Sequence, residues 1–191
     1  MASPATPDVV ETGTVVGAGS FICLECGIAV ALAALDEVPS CPACGHAEFR
    51  RASLFEQPTV SEPAVADDDS DLAWLAELRD EVAGHFLAFE DDEGVSVLAL
   101  PSGWSRIGRS VSADIQLDDP TVSRRHAQIV RTEDDELRVI DDRSLNGVFV
   151  NGEQVEWSPL RDGDELAIGR YCLHVIALAP DRGLKPAASD A

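Results

Sequence analysis

The sequence predicts a mainly β protein: an antiparallel β-sandwich over residues 85–178, preceded by a small metal-stapled module and an acidic linker. Three observations predict it. Nine short runs, from "HFLAFE" at 85–90 to "YCLHVI" at 171–176, mostly alternate apolar and polar residues and are separated by "DDEG", "PSG", "TEDDE", "NG" and "RDGD". Four of the five cysteines form two Cys-x-x-Cys pairs near the amino end. Between these regions lies "EQPTVSEPAVADDDSD", residues 56–71, with little to bury. At 191 residues and 45% hydrophobic, the chain can fill one moderate core plus a small satellite unit.

In chain order, residues 1–12 read as a flexible start and 13–55 as the small module. Residues 56–84 read as the linker, 85–178 as the sandwich and 179–191 as a flexible tail. Within the linker, "SDLAWLAELRDEVAG" carries a short helix signal over about 71–83. Ser70 or Asp71 can cap it, acids crowd its first turn, and Leu72, Leu75, Leu78 and Val82 recur at helical spacing before Gly84. That stripe is expected to rest on the following domain, with docking to a partner as the alternative. No internal repeat is visible.

Charge narrows the function. A formal net charge of −21 repels phosphate backbones and anionic lipid at long range. No run approaches the eighteen or so apolar residues of a spanning helix, and "MASPATPDVV" lacks the pattern of an export signal. A cytoplasmic protein that binds neither membrane nor, in general, nucleic acid is expected, with its cysteines kept reduced as metal ligands.

The module holds Cys23 and Cys26 in "CLECG" and Cys41 and Cys44 in "CPACG", with fourteen residues between the pairs. Tetrahedral zinc takes four thiolates at about 2.3 Å, and each Cys-x-x-Cys turn delivers two while its backbone amides point at the sulfurs. So short a module needs the metal for its folding. All four positions are Cys, so one structural zinc ion with no open coordination site is expected, with a redox or disulfide pair as the alternative. His46 reads as a neighbour of the second turn. The segment resembles a zinc ribbon. Ribbons often bind nucleic acid or protein. Between Ser20 and Ala52, Glu25, Asp36, Glu37 and Glu48 outnumber Arg50 and Arg51, and Phe21 and Phe49 are the only aromatics, which disfavours nucleic acid.

In the sandwich, Asn151-Gly152 is a two-residue hairpin signal, because both central residues of a type I′ turn need positive φ. Three loops carry chemistry. "IGR" ends a run with Arg109; "TVSRRHAQI" presents Ser123, Arg124, Arg125 and His126; "DRSLNGVFVNG" brings Ser144, Asn146 and Gly147. Side by side at one end of the sandwich they offer a hydroxyl, forked guanidinium donors, a side-chain amide and backbone N–H groups. They offer no activated nucleophile, no paired carboxylates and no Gly-rich phosphate loop opening a helix, so they would bind a dianion without transforming it. Cys172, in an apolar run, reads as core, and Trp104 and Trp157 as packing aromatics. Gly169-Arg170 reads as structural.

The order of blocks "GR … SRRHA … SLNGVFVNG … DGDELAIGR" resembles the forkhead-associated (FHA) domain across His85 to about Leu178. The resemblance implies a sandwich of about eleven strands that recognises phosphothreonine in peptides. It implies phosphate contacts from Arg109 and Ser123, with Arg124 or a neighbour assisting, and a hold on the peptide backbone by Asn146. Gly108, His126 and Gly147 would keep the loops in shape. Leu145 stands in the binding loop where many members have Thr. Small bacterial FHA regulators share "SRRHA … SLNG" and carry an amino-terminal Thr that, once phosphorylated, folds back onto their own site. Thr12 and Thr14 in "DVVETGTVV" offer that possibility, beside the simpler reading that this stretch contains a ribbon strand.

The expectation is therefore a non-enzymatic adaptor or regulator in Ser/Thr kinase signalling. It would bind phosphothreonine proteins, with a Ser/Thr kinase itself a candidate partner, and use the ribbon for a second protein contact. The alternative is a nucleic-acid or transcription-machinery zinc-ribbon factor recruited through its FHA domain.

Overall fold

The computed structural model describes residues 9–53, 74–75, 84–91 and 94–178. The expected linker apart from 74–75 and Gly84, most of the helix expected over about 71–83, and the carboxyl tail lie outside them. Trp74 and Leu75 are helical, and the Trp74 ring meets His174 edge-on at 5.8 Å.

The amino-terminal unit is a four-stranded sheet of β1 (Val9–Glu11), β2 (Gly19–Cys23), β3 (Ala29–Leu32) and β4 (Glu48–Arg51), in the order β1-β4-β2-β3. Its apolar cluster is small: Phe21, Ile28, Val30, Leu32, Val38 and Phe49 around Cys23 and Cys41. The Arg51 guanidinium lies 4.9 Å over the Phe21 ring and donates to the Val16 and Ala18 carbonyls, closing one side. β1 corrects the expected flexible start. Val9, Val10 and Glu11 pair with Arg50, Phe49 and Glu48, so among the described residues the unit already begins at Val9, where the β4 edge takes a partner strand.

The second unit packs two sheets. Its strands are β5 (Gly84–Asp91), β6 (Gly94–Ala99), β7 (Gly103–Gly108), β8 (Ile115–Gln116), β9 (Ala127–Arg131), β10 (Leu137–Asp141), β11 (Val148–Val150), β12 (Glu153–Val155), β13 (Trp157–Leu160), β14 (Glu165–Ile168) and β15 (Tyr171–Leu178). One sheet runs β13-β10-β9-β7-β8 and the other β12-β11-β14-β15-β5-β6. Inward residues such as Leu87, Ile107, Ile129, Val139, Leu166 and Leu173 form one continuous core between them.

These eleven strands match the number the family resemblance implied. Nine had shown as alternating runs; β12 and β13 had not. Both are edge strands, polar or interrupted by Pro159, which only an edge tolerates. One pair departs from the antiparallel expectation: β8 runs parallel to β7, Ile107 opposite Ile115. Asp114 fixes that return by accepting from the Arg106 backbone N–H at 2.9 Å and its Nε at 3.0 Å. Trp104 and Trp157 do not pack inward. They are 62% and 63% exposed, because strand alternation turns both to the solvent face. Asn151 and Gly152 have φ of 51° and 82°, as a type I′ hairpin requires.

Candidate functional site

The four cysteines converge. Sγ of Cys23 lies 3.7 Å from that of Cys44, Sγ of Cys26 lies 3.5 Å from that of Cys41, and all four lie within 4.8 Å of one another. A tetrahedral four-thiolate zinc site with bonds of about 2.3 Å has sulfur–sulfur edges of about 3.8 Å, so the donor set and its spacing fit that ion. Backbone amides bond the sulfurs: Ile28 to Cys26, Ala43 and Cys44 to Cys41, and His46 to Cys44. Gly27 and Gly45, with φ of 75° and 74°, close the two turns. His46 faces Glu48 at 3.5 Å and stays outside the four-sulfur cluster. Glu165, Cys172 and His174 form the other close group of potential ligands among the described residues. There, burial pushes the Cys172 thiol up to about 11, with Glu165 adding to it, so this cysteine is a poor nucleophile.

At one end of the sandwich the loops after β7, before β9 and before β11 are tied into one surface. The Arg109 N–H donates to the Ser123 carbonyl at 3.0 Å, and the Leu145 N–H donates to Ser123 Oγ at 2.9 Å. His126, fully buried, ties the second of these loops to the third. Its Nδ1 accepts from the Ser123 N–H and its Nε2–H donates to the Gly147 carbonyl, both at 3.0 Å. Burial pushes its pKa down and keeps the ring neutral, against weaker upward pulls from the Gly147 carbonyl and Asp141. Both ring nitrogens are thus engaged by backbone, and neither serves Ser123 Oγ as a base. Gly108 is required sterically, because a Cβ there would run into the Arg124 carbonyl oxygen. Gly147 has φ +81°.

A pocket of about 330 Å³ opens over this surface. From the sandwich it is lined by Arg109, Ser123, Arg124, Arg143, Ser144 and Leu145, with no carboxylate among them. Arg109 Nε is buried there without a hydrogen-bond partner. A buried guanidinium donor left unpaired costs free energy unless an acceptor arrives, and three arginines around one cavity make a chemistry suited to an anion. Arg125 is drawn away: it forks onto Asp142, Nε to Oδ2 at 2.7 Å and Nη2 to Oδ1 at 3.0 Å. On the far side of Leu145 and Ser144, a wider groove of about 890 Å³ runs past Val155 and Trp157.

Asn146 was expected at this end, and the structure shows what it touches. Its Nδ2 donates to the Thr121 carbonyl at 2.7 Å and to the Ala29 carbonyl at 2.8 Å, while its Oδ1 accepts from the Ala29 N–H at 2.8 Å. The amide thus reads both backbone groups of one β3 residue, although the ribbon lies more than a hundred residues earlier. A further signal went unread in the sequence. Asp119 accepts from the Thr121 N–H and hydroxyl and pairs with Arg170 at 2.8 Å, and the Arg170 N–H donates to Thr121 Oγ1 at 3.0 Å. This knot aims the Thr121 carbonyl at Asn146. The Asp-Pro-Thr order at 119–121 is a local side-chain-to-backbone turn pattern that could have marked it. Thr12 and Thr14 lie elsewhere, in the turn after β1. Thr12 Oγ1 faces the Pro39 and Ala47 carbonyls at 3.2 Å, and the Thr14 carbonyl accepts from the Val38 N–H.

Two family models match separate parts of the chain. Residues 105–169 match the family model of the FHA domain, and residues 3–53 match that of a zinc-ribbon containing domain. The glycogen accumulation regulator GarA of Mycobacterium tuberculosis (strain ATCC 25618 / H37Rv) is 49% identical over 76 residues, 40% of this chain and 46% of GarA. The oxoglutarate dehydrogenase inhibitor of Corynebacterium jeikeium is 50% identical over 66 residues, 35% of this chain and 45% of the inhibitor. The chain spans less than half the length of these curated relatives. Among solved structures, one from a structural and functional analysis of phosphothreonine-dependent FHA domain interactions is 32% identical, with a TM-score of 0.47. It covers 51% of this chain and 99% of its own. The FhaA FHA domain complexed with the intracellular domain of Rv3910 is 33% identical, with a TM-score of 0.46, covering 48% of this chain and 99% of its own.

Proposed function

Because the chain carries an FHA domain behind a zinc ribbon, we propose that it is a non-enzymatic adaptor that binds phosphothreonine peptides in cytoplasmic Ser/Thr kinase signalling. The observation that carries this reading is the buried, unpartnered Nε of Arg109, set in a carboxylate-free pocket with Ser123, Arg124 and Arg143. A phosphate dianion supplies the acceptor that Arg109 Nε lacks, and each charge-assisted bond contributes about 1.5–3 kcal/mol. The Ser123 hydroxyl, its oxygen already accepting from Leu145, has its proton free to donate. Asn146 holds extended backbone, Leu145 stands between the pocket and the wider groove, and that groove receives the flanking side chains. Gly108, His126 and Gly147 keep the three loops in register.

The curated relatives' names, an accumulation regulator and an enzyme inhibitor, are names for regulatory proteins and support a non-catalytic role. One zinc ion at Cys23, Cys26, Cys41 and Cys44 would hold the ribbon's fold. When bound it supplies the charge that keeps four thiolates together; the residues themselves supply only donors and amide bonds.

Fluorescence anisotropy of the full chain with degenerate phosphothreonine, phosphoserine and unphosphorylated peptide pools tests the reading. Binding confined to phosphothreonine, weakened at least about tenfold by Arg109→Ala as the loss of one such bond requires, is the expected result. Equal binding of all three pools, or none at any concentration up to millimolar, would overturn it.

A further inference from the structure

We propose that the zinc ribbon is the FHA cleft's own intramolecular ligand: strand β3 sits in the peptide-backbone seat, and a phosphothreonine partner binds by displacing it. This rests on the phosphothreonine reading above and adds the site's regulation. The contact has the form of peptide recognition at a strand edge. β3 is an edge strand, paired on one side with β2 alone. The groups it turns outward are those the FHA domain takes. Asn146 engages both the N–H and the carbonyl of Ala29, and the Ala31 N–H donates to the Pro120 carbonyl at 2.9 Å. An edge strand whose alternate backbone groups are read by a neighbour is how extended peptides are bound.

Side-chain alternation agrees. Val30 and Leu32 point into the ribbon's apolar cluster, while Ala29 and Ala31 point the other way. Ala29 is nevertheless 0% exposed, and its β2 partner Ile22 is 3% exposed without belonging to that cluster. Ala31 and its partner Ser20, with Leu32 and Ala33, form one wall of the pocket that holds Arg109 and Ser123. Small residues let the ribbon backbone approach the loops closely. The occupant is incomplete, because it brings no carboxylate or phosphate, and Arg109 Nε remains unpaired beneath it. A phosphothreonine peptide can match the backbone contacts and add the anion. The ribbon has the advantage of its tether, which gives a linked module an effective concentration of about millimolar. The balance sets a threshold that only a phosphorylated partner crosses.

Two measurements on the full chain test this. Ala29→Pro and, separately, Ala31→Pro delete an outward N–H from an edge strand, where proline is tolerated, without touching the β2 ladder. Each is expected to tighten binding of the phosphothreonine pool at least about tenfold. In the wild-type chain, saturating phosphothreonine peptide is expected to strip amide-exchange protection from Ala29 and Ala31 while Val30, paired with Phe21 inside the ribbon, keeps it. The exchange experiment needs no variant and so is unaffected if a proline variant misfolds. Unchanged affinity in both variants, within twofold, together with retained protection of Ala29 and Ala31 in the peptide complex, overturns the proposal and leaves the reader function standing. No binding of any pool by wild type or variants overturns the reader function itself, and the proposal with it.

Discussion

His126→Phe probes how the cleft is held together. Phe replaces the imidazole by a slightly larger apolar ring at a position with no solvent exposure, so the change removes both hydrogen bonds and adds some crowding. It leaves the Ser123 N–H and the Gly147 carbonyl unpaired in the interior, and each orphaned group costs about 1–3 kcal/mol. The FHA domain should therefore lose about 2–6 kcal/mol, read as a drop in the urea midpoint of the β-sheet circular dichroism signal at pH 7.5. The pH dependence carries the same signature. Burial depresses the folded-state pKa of His126, so the unfolded chain binds its proton first. The sign follows: stability is intact above the unfolded pKa of about 6.5 and falls as pH drops below it, by up to about 1.4 kcal/mol per pH unit, until the folded pKa is passed. His85 and His174, also depressed by burial, add in the same direction. Asp114, Asp135 and Asp142, whose pKa values are lowered by Arg106, Arg131 and Arg125, lose stability only at lower pH, below the ordinary carboxylate range. The variant should show a shallower slope, by up to one proton, as pH falls below about 6.5. A loss under about 0.5 kcal/mol, or an unchanged slope, would refute the assignment of a neutral, doubly bonded His126.

Gly108→Ala sets a Cβ against the Arg124 carbonyl, so the β7 end and the Ser123 loop must separate; phosphothreonine affinity and the thermal midpoint should both fall, and wild-type values for both would refute the close approach. Arg125→Ala should change phosphothreonine affinity less than about threefold, because its guanidinium, itself largely exposed, is forked onto Asp142 and so points away from the pocket. Zinc chelation should unfold the ribbon and leave the FHA domain folded, seen as proteolysis confined to the region before residue 84 with the urea transition retained. A ribbon resistant to both chelator and protease would refute metal-dependent folding.

The four-cysteine site was legible because Cys-x-x-Cys-Gly is local: a turn of four residues decides where two sulfurs go, and the structure needs only to fold two such turns together. The sandwich was legible wherever one face of a strand is buried, because burial imposes alternation; β12 and β13, at the edges, escaped for want of it, and Trp104 and Trp157 were misplaced because apolar character alone does not say which face a strand shows. The candidate residues Arg109, Ser123, Arg124, Leu145 and Asn146 stood out in three separate loops, but nothing local shows that Arg109 Nε is left without an acceptor or that Arg125 is turned onto Asp142. Least legible of all was the union of the two modules. Sequence determined that a four-cysteine ribbon precedes a β-sandwich whose loops carry Arg109, Ser123, Arg124 and Asn146. Only the tertiary structure decided that Asn146 would close on Ala29, because that contact uses backbone groups that every residue carries, and no side-chain pattern announces which strand edge will meet which loop.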